Sequence, residues 1–233
     1  MTKPSEFRHI EAGRLRETTA WLEKRIVATF PGRALGKLAF DLGDLVGDVG
    51  EHCDRLAKPN WPLRLLVASA ILLLFLLLGA TFSALPLSAQ GASWIDLLQG
   101  IEAALNELVM VGLVVLFLAS IENRRKRGEA LAGLRDLRGM AHVIELHQMT
   151  KDPEIAMARA EGAEVDHLDP KELALYLSFC ADLLSIVGKT AALYGQVLDD
   201  SVVLSTVDEV EGVSSRAAGK IWQKMGLIRN AGL

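Results

Sequence analysis

Apolar and polar residues recur at helical spacing from residue 7 to residue 56, give way to unbroken apolar runs between 65 and 121, and return to helical spacing beyond 127. In 7–30, Leu15, Leu22 and Ile26 form one stripe among Arg8, Arg14, Arg16, Lys24 and Arg25, which predicts an amphipathic helix packed on its neighbour, its charges solvated. Pro31-Gly32 ends it. From residue 34, Leu35, Leu38, Leu42, Leu45, Val49, His52 and Leu56 alternate by three and four, a coiled-coil-like seam that needs a partner helix. Gly36, Gly43, Gly47 and Gly50 occupy an adjoining stripe. Each costs about 1 kcal/mol relative to Ala in a helix, so their repetition predicts that another backbone comes close there. Asp41, Asp44, Asp48 and Glu51 on the other side suit an interfacial or soluble helix rather than a membrane-spanning one.

The stretch 65–82 reads LLVASAILLLFLLLGATF, without a charge or a strong helix breaker. At about 1.5 Å per residue it is long enough to cross a hydrocarbon core of about 30 Å. A second apolar run, 108–121, is shorter, but the helical pattern reaches back to about residue 100. The segment 62–127 therefore predicts a two-helix transmembrane hairpin, with crossings near 63–83 and 100–121. Ser93 and Asp96 carry capping-box spacing at the start of the second helix, with Trp61 as an interfacial anchor of the first. The loop between has no Lys or Arg, whereas Arg55, Lys58 and Arg64 precede the hairpin and Arg124, Arg125, Lys126 and Arg127 follow it. That asymmetry predicts an inner-membrane protein with both termini cytoplasmic, the four-cation cluster acting as an inner-leaflet anchor.

Polar residues in the second crossing are the main candidates for chemistry. Gln99, Glu102 and Asn106 share a helix face that continues as Leu113 and Phe117. Taking Ile121 as the inner boundary, Glu102 lies about 28 Å away, near the outer surface, and Glu107 about 21 Å away, within hydrocarbon depth. A carboxylate there should face protein or water. In a ring of subunits the stripe would make a polar mouth above an apolar constriction, the layout of a cation-selective vestibule. Against this stands a plainer arrangement in which the acids reach the headgroups and Asn106 bonds a neighbouring helix. No potassium-filter sequence occurs in the loop.

Beyond the cluster the helix is expected to continue to about residue 149 as a projecting stalk, with Leu131, Leu134, Leu137, Ala141 and Ile144 on one side. His142, Glu145 and His147 suggest a metal site, but the two histidines lie about 140° apart around one helix and cannot aim at one ion. A hinge with a short helix is expected over 150–169, His167 within it solvated. Asp169-Pro170 with Glu172 then signals a helix start. Leu173, Leu177, Cys180, Leu184, Val187, Ala191, Tyr194 and Leu198 form its seam. Tyr176, Phe179, Leu183, Ile186, Leu193 and Val197 form a second stripe, so the helix must be covered on most sides. A last helix, about 201–228, would bury Val203, Val207, Val210, Ala217 and Ile221, with Trp222 anchoring its tip.

The fold class expected is thus all-α: cytoplasmic amphipathic helices in 1–61, the hairpin in 62–127, and a cytoplasmic helical bundle in 128–233. At 233 residues and 51% apolar content the chain suits a small bacterial-type membrane protein without a cleavable leader. Cys53 and Cys180 are expected as reduced, buried small hydrophobes. Mixed charge gives no nucleic-acid footprint. The residues supply no phosphate loop, nucleophile elbow, metal cluster or cofactor motif, which speaks against an enzyme. Two functions fit: a homo-oligomeric membrane-anchored scaffold or adaptor for cytoplasmic protein partners, or a homo-oligomeric ion channel lined by the second crossing. The breadth of the apolar stripes at 34–56 and 173–198 argues for a second copy of the chain.

Overall fold

In a computed structural model the protein is described over residues 9–59, 61–84, 94–149 and 168–230. Every regular element among them is an α-helix: α1 Ala12–Thr29, α2 Ala34–Ala57, α3 Trp61–Ala84, α4 Trp94–Met149, α5 Pro170–Val197 and α6 Ser201–Asn230. They divide into two compact units, one of Lys58–Lys126 and one of Met1–Ala57 with Arg127–Leu233. The regions expected as 1–61 and 128–233 therefore share a unit and one hydrophobic core.

In that helical unit α1 lies antiparallel on α2, along the glycine stripe. A Cβ on Gly36 would sit 3.2 Å from Val27, on Gly43 3.8 Å from Thr19, on Gly47 3.8 Å from Arg16, and on Gly50 3.2 Å from Ala12. The backbone that the glycines admit is α1 of the same chain. Its buried face is Leu15, Thr19, Leu22 and Ile26, and the Thr19 hydroxyl donates to the Leu15 carbonyl at 2.8 Å.

The seam of α2 differs from its expected register. Leu35, Leu38, Leu42, Val49 and Leu56 are buried, but Val46 and Cys53 take the places expected for Leu45 and His52, which are only partly covered. A straight helix turns by about 20° per heptad relative to a strict seven-residue repeat. With α1 on the glycine side and α5 on the other, the covered arc is wide and centred toward the glycines, so Leu45 and His52 fall at its edge.

Phe30, at the end of α1, is wedged edge-on against Tyr176 at 5.7 Å and Phe179 at 6.2 Å, and Arg25 lies over both Trp21 and Phe179. Edge-to-face pairs of this kind add about 0.5–1.5 kcal/mol each beyond their buried area. Both predicted stripes of α5 are buried down to Tyr194, with Val197 and Leu198 partly covered. Its start is where Asp169-Pro170 and Glu172 placed it, and there they form a capping box: Asp169 accepts from the Lys171 N–H at 2.9 Å, and Glu172 accepts from the Asp169 N–H at 3.2 Å. α6 buries all five expected residues and is capped by Asp200, whose carboxylate accepts from the N–H groups of Val202 and Val203.

The second half of α4 is not a projecting stalk. Ala130, Leu134, Leu137, Ala141, Ile144 and Gln148 are buried in the core, because α5 and α6 leave a groove that this apolar face fills. Three ion pairs align α4 parallel to α6: Arg127–Asp200 at 3.6 Å, Arg138–Glu209 at 3.2 Å and Lys220–Glu145 at 2.9 Å. On the α5 side Gly133 admits Tyr194, whose ring carbon Cζ would lie 2.9 Å from any Cβ placed there.

Among the described residues two helices are long and apolar enough to cross a membrane, α4 over Leu98–Met149 and α5. They differ in surroundings. The apolar part of α4 is wholly unburied, whereas α5 is two-thirds buried in the helical unit, which accounts for its composition. In α3 the apolar part is Arg64–Leu77, with Leu65, Leu66, Leu72, Leu73, Phe75 and Leu76 exposed. The expected loop with its Ser93 cap and the 150–167 hinge with His167 lie outside the described residues.

Candidate functional site

Successive residues of a helix are offset by about 100°, so side chains can be placed around the first half of α4. Its partly covered positions are Gly100, Ala104, Glu107, Val111, Val115, Leu118 and Glu122. They fall within an arc of about 80°. In α3 the less exposed positions are Val67, Ala70 and Leu74, again spaced by three and four. Gln99, Glu102, Asn106, Leu113 and Phe117 are all exposed. They lie within about 60° of one another, on the side opposite to the covered arc.

The polar stripe and the apolar pair below it thus share one uncovered direction. Glu107, expected as a polar residue of the same crossing, is separate from them and belongs to the covered arc. The described serine hydroxyls of this unit bond locally. Ser69 donates to the Leu66 carbonyl at 2.8 Å and Ser120 to the Phe117 carbonyl at 2.7 Å, so neither adds to the stripe.

The four cations after the apolar run do not act alike. Arg124 and Arg125 are exposed, Lys126 pairs with Glu122 at 3.0 Å, and Arg127 reaches the cap of α6 at Asp200.

In the helical unit both cysteine thiols are withdrawn from solvent. Cys53 and Cys180 are free and buried, and burial pushes both thiols up to about 12, with Asp54 adding to the shift at Cys53. Burial likewise drives the Tyr194 phenol up. Thiols held in this state are poor nucleophiles.

His142 stands 3.7 Å from Glu145, while Nδ1 of His147 lies 3.1 Å from the Val143 carbonyl. Glu145 is held below the ordinary carboxylate range by the Lys220 hydrogen bond. Among the described residues no group of three His, Cys, Asp or Glu is placed to hold a metal ion.

Two surface grooves flank α5 and α6. One, of about 410 Å³, carries Asp182, Lys189 and Glu211, with the Lys189 ammonium donating to the Ser185 hydroxyl. The Asp182 carboxyl is raised by burial, an effect Arg25 and Lys189 oppose. The other, of about 320 Å³, lies between the start of α5 and the end of α6.

No known protein family, no curated protein and no solved structure matches this chain. Its function has to be argued from the placement of its own residues. The separation of Glu107 from the polar stripe was available from spacing alone, since it is five residues from Glu102. The close seat of Tyr194 on Gly133 was not, because it depends on how two helices face each other.

Proposed function

We propose that the chain is a non-enzymatic integral membrane protein that crosses the bilayer twice, through α3 and the first half of α4. Its helical unit lies in the cytoplasm and serves as a homo-oligomeric scaffold or adaptor for other proteins. The observation that carries this reading is the uncovered stripe of Gln99, Glu102 and Asn106 opposite the covered arc of α4. Polar side chains facing hydrocarbon are costly, so the stripe needs water, headgroups or a second copy against it. The three-and-four spacing of the less exposed positions on α3 and on α4 supports a hairpin, and the cations on both flanks support the orientation. A bilayer and a cytoplasmic protein are the partners that follow, with no cofactor required.

A second reading is favoured by the way the stripe continues into Leu113 and Phe117 on the same side. In a ring of subunits that face would line an ion channel, with the polar residues at the outer mouth and the apolar pair as the gate. Conductance of the purified oligomer in planar bilayers separates the two. A channel gives a current whose cation preference falls in Glu102→Gln and whose open fraction rises in Phe117→Ala. A verified oligomer without current leaves the scaffold.

A further inference from the structure

The apolar seams of α2 and α5 are filled within the chain, but the outward face of α4 in the helical unit is not. About 180° around that helix from its buried residues, Gly128, Ala132, Gly139, Val143 and Leu146 fall within an arc of about 60°. All five are exposed, Val143 by 43% and Leu146 by 60%. The face of a helix turned away from its core ordinarily carries polar side chains, and this strip has none. A Cβ on Gly128 or Gly139 would meet nothing within 4 Å, whereas one on Gly133 would strike Tyr194. Glycine weakens a helix, and among the described residues nothing packs on these two.

The charges of 128–149 are sorted about that strip. Arg135 lies about 50° to one side of it and Asp136 about 50° to the other, both exposed. Neither has an ion-pair partner among the described residues. His142 shares the side of Arg135, and Glu129 with His147 the side of Asp136. Arg138 and Glu145, farther round on the first side, are committed to Glu209 and Lys220 of α6. One flank of the strip is therefore basic and the other acidic.

We infer that two copies of the chain pack α4 against α4 through this strip, in parallel, about a twofold axis along the bilayer normal. Both copies enter the bilayer with the same polarity, so the two helices run the same way. About such an axis each flank meets the opposite flank of the other helix. Arg135 of one copy then faces Asp136 of the other, and the reciprocal pair forms on the far side. Gly128, Ala132 and Gly139 admit a close approach of the two backbones, Val143 and Leu146 supply the apolar contact farther along, and the charges fix the register. This contact rests on the homo-oligomer of the preceding section and places one of its interfaces in the helical unit.

The test uses the full-length protein carrying Ala132→Cys, reconstituted into lipid vesicles and mildly oxidised. Position 132 is exposed on the strip, and the native thiols are buried, so a disulfide between two copies reports the parallel contact. It is expected to form, at least about tenfold faster than from Ser215→Cys, which is exposed on α6. Adding Arg135→Asp or Asp136→Arg to the Ala132→Cys chain should slow it about fivefold, because like charges then face each other across both flanks. Mixing the two reversed chains should restore the rate, carried by the mixed dimer, in which opposite charges face again. Gly139→Leu should slow it as well without lowering the thermal unfolding temperature, since the added side chain meets nothing in its own chain. A helical circular dichroism spectrum confirms that each variant folds. Absence of the Ala132→Cys disulfide in a protein that is oligomeric by light scattering overturns this contact and leaves the oligomer standing. A monomer in the same experiment overturns both. Cross-linking indifferent to the charge reversals overturns the pairing of the flanks, and indifference to Gly139→Leu overturns the close approach.

Discussion

Tyr194 is fully buried, and its hydroxyl has no hydrogen-bond partner among the described residues. A phenol in that position loses its hydration without recovering the bond, so the ring earns its place by packing on Gly133, not by polarity. Tyr194→Phe is therefore expected to leave stability within about 0.5 kcal/mol of wild type, or to raise it. Gly133→Ala sets a methyl group against the same ring and should cost about 1–3 kcal/mol. Combined, the two should cost less than Gly133→Ala alone, because the hydroxyl is part of what the methyl meets. Urea unfolding followed by circular dichroism measures all three. Spacing marks Tyr194 as a seam residue of α5. The fate of its hydroxyl depends on the facing helix and has no signature in the local sequence.

Among the elements, α4 and α6 are held in parallel by a ladder of ion pairs, of which Glu145–Lys220 is the closest. Glu145 has its folded-state pKa lowered from the ordinary value of 4.5, first by the Lys220 hydrogen bond. The stabilisation from a depressed carboxylate is complete above its unfolded value and is lost as the pH falls through the folded one. Glu145→Gln should thus cost about 0.5–1 kcal/mol near neutrality, as expected of a partly exposed pair. That difference from wild type should shrink as the pH is taken below 4.5. Thermal unfolding at a series of pH values checks both size and direction.

Element types and most helix ends were legible because their signals are local: the Pro31-Gly32 break, the Asp169 cap and the alternating stripes. Which helix covers which stripe was not. The glycines of α2 called for a close backbone without naming α1, and the apolar face of α4 beyond Arg127 was equally consistent with a free rod or a core helix.

For the whole molecule, burial of both native thiols makes topology directly testable. An impermeant maleimide should label Ser88→Cys in intact cells and Ser215→Cys only after permeabilisation, since Ser215 is exposed on α6. The opposite pattern would invert the orientation. The apolar character of 65–82 and 108–121 was plain from composition, whereas the demand for a second copy was misplaced onto seams the chain fills by itself.

The division of the helical unit across two separate stretches of sequence also bears on how the chain matures. α1 and α2 close on each other within residues 12–57, and α5 and α6 within 170–230, both through contacts of short sequence separation that form quickly. The contact of α2 with α5 must wait until more than a hundred further residues have left the ribosome. During that interval the buried faces of Leu35, Leu42 and Val49 lack their final cover. A nascent chain stalled just after α4 would therefore expose a sticky α1–α2 hairpin, the stage at which a chaperone has most to protect.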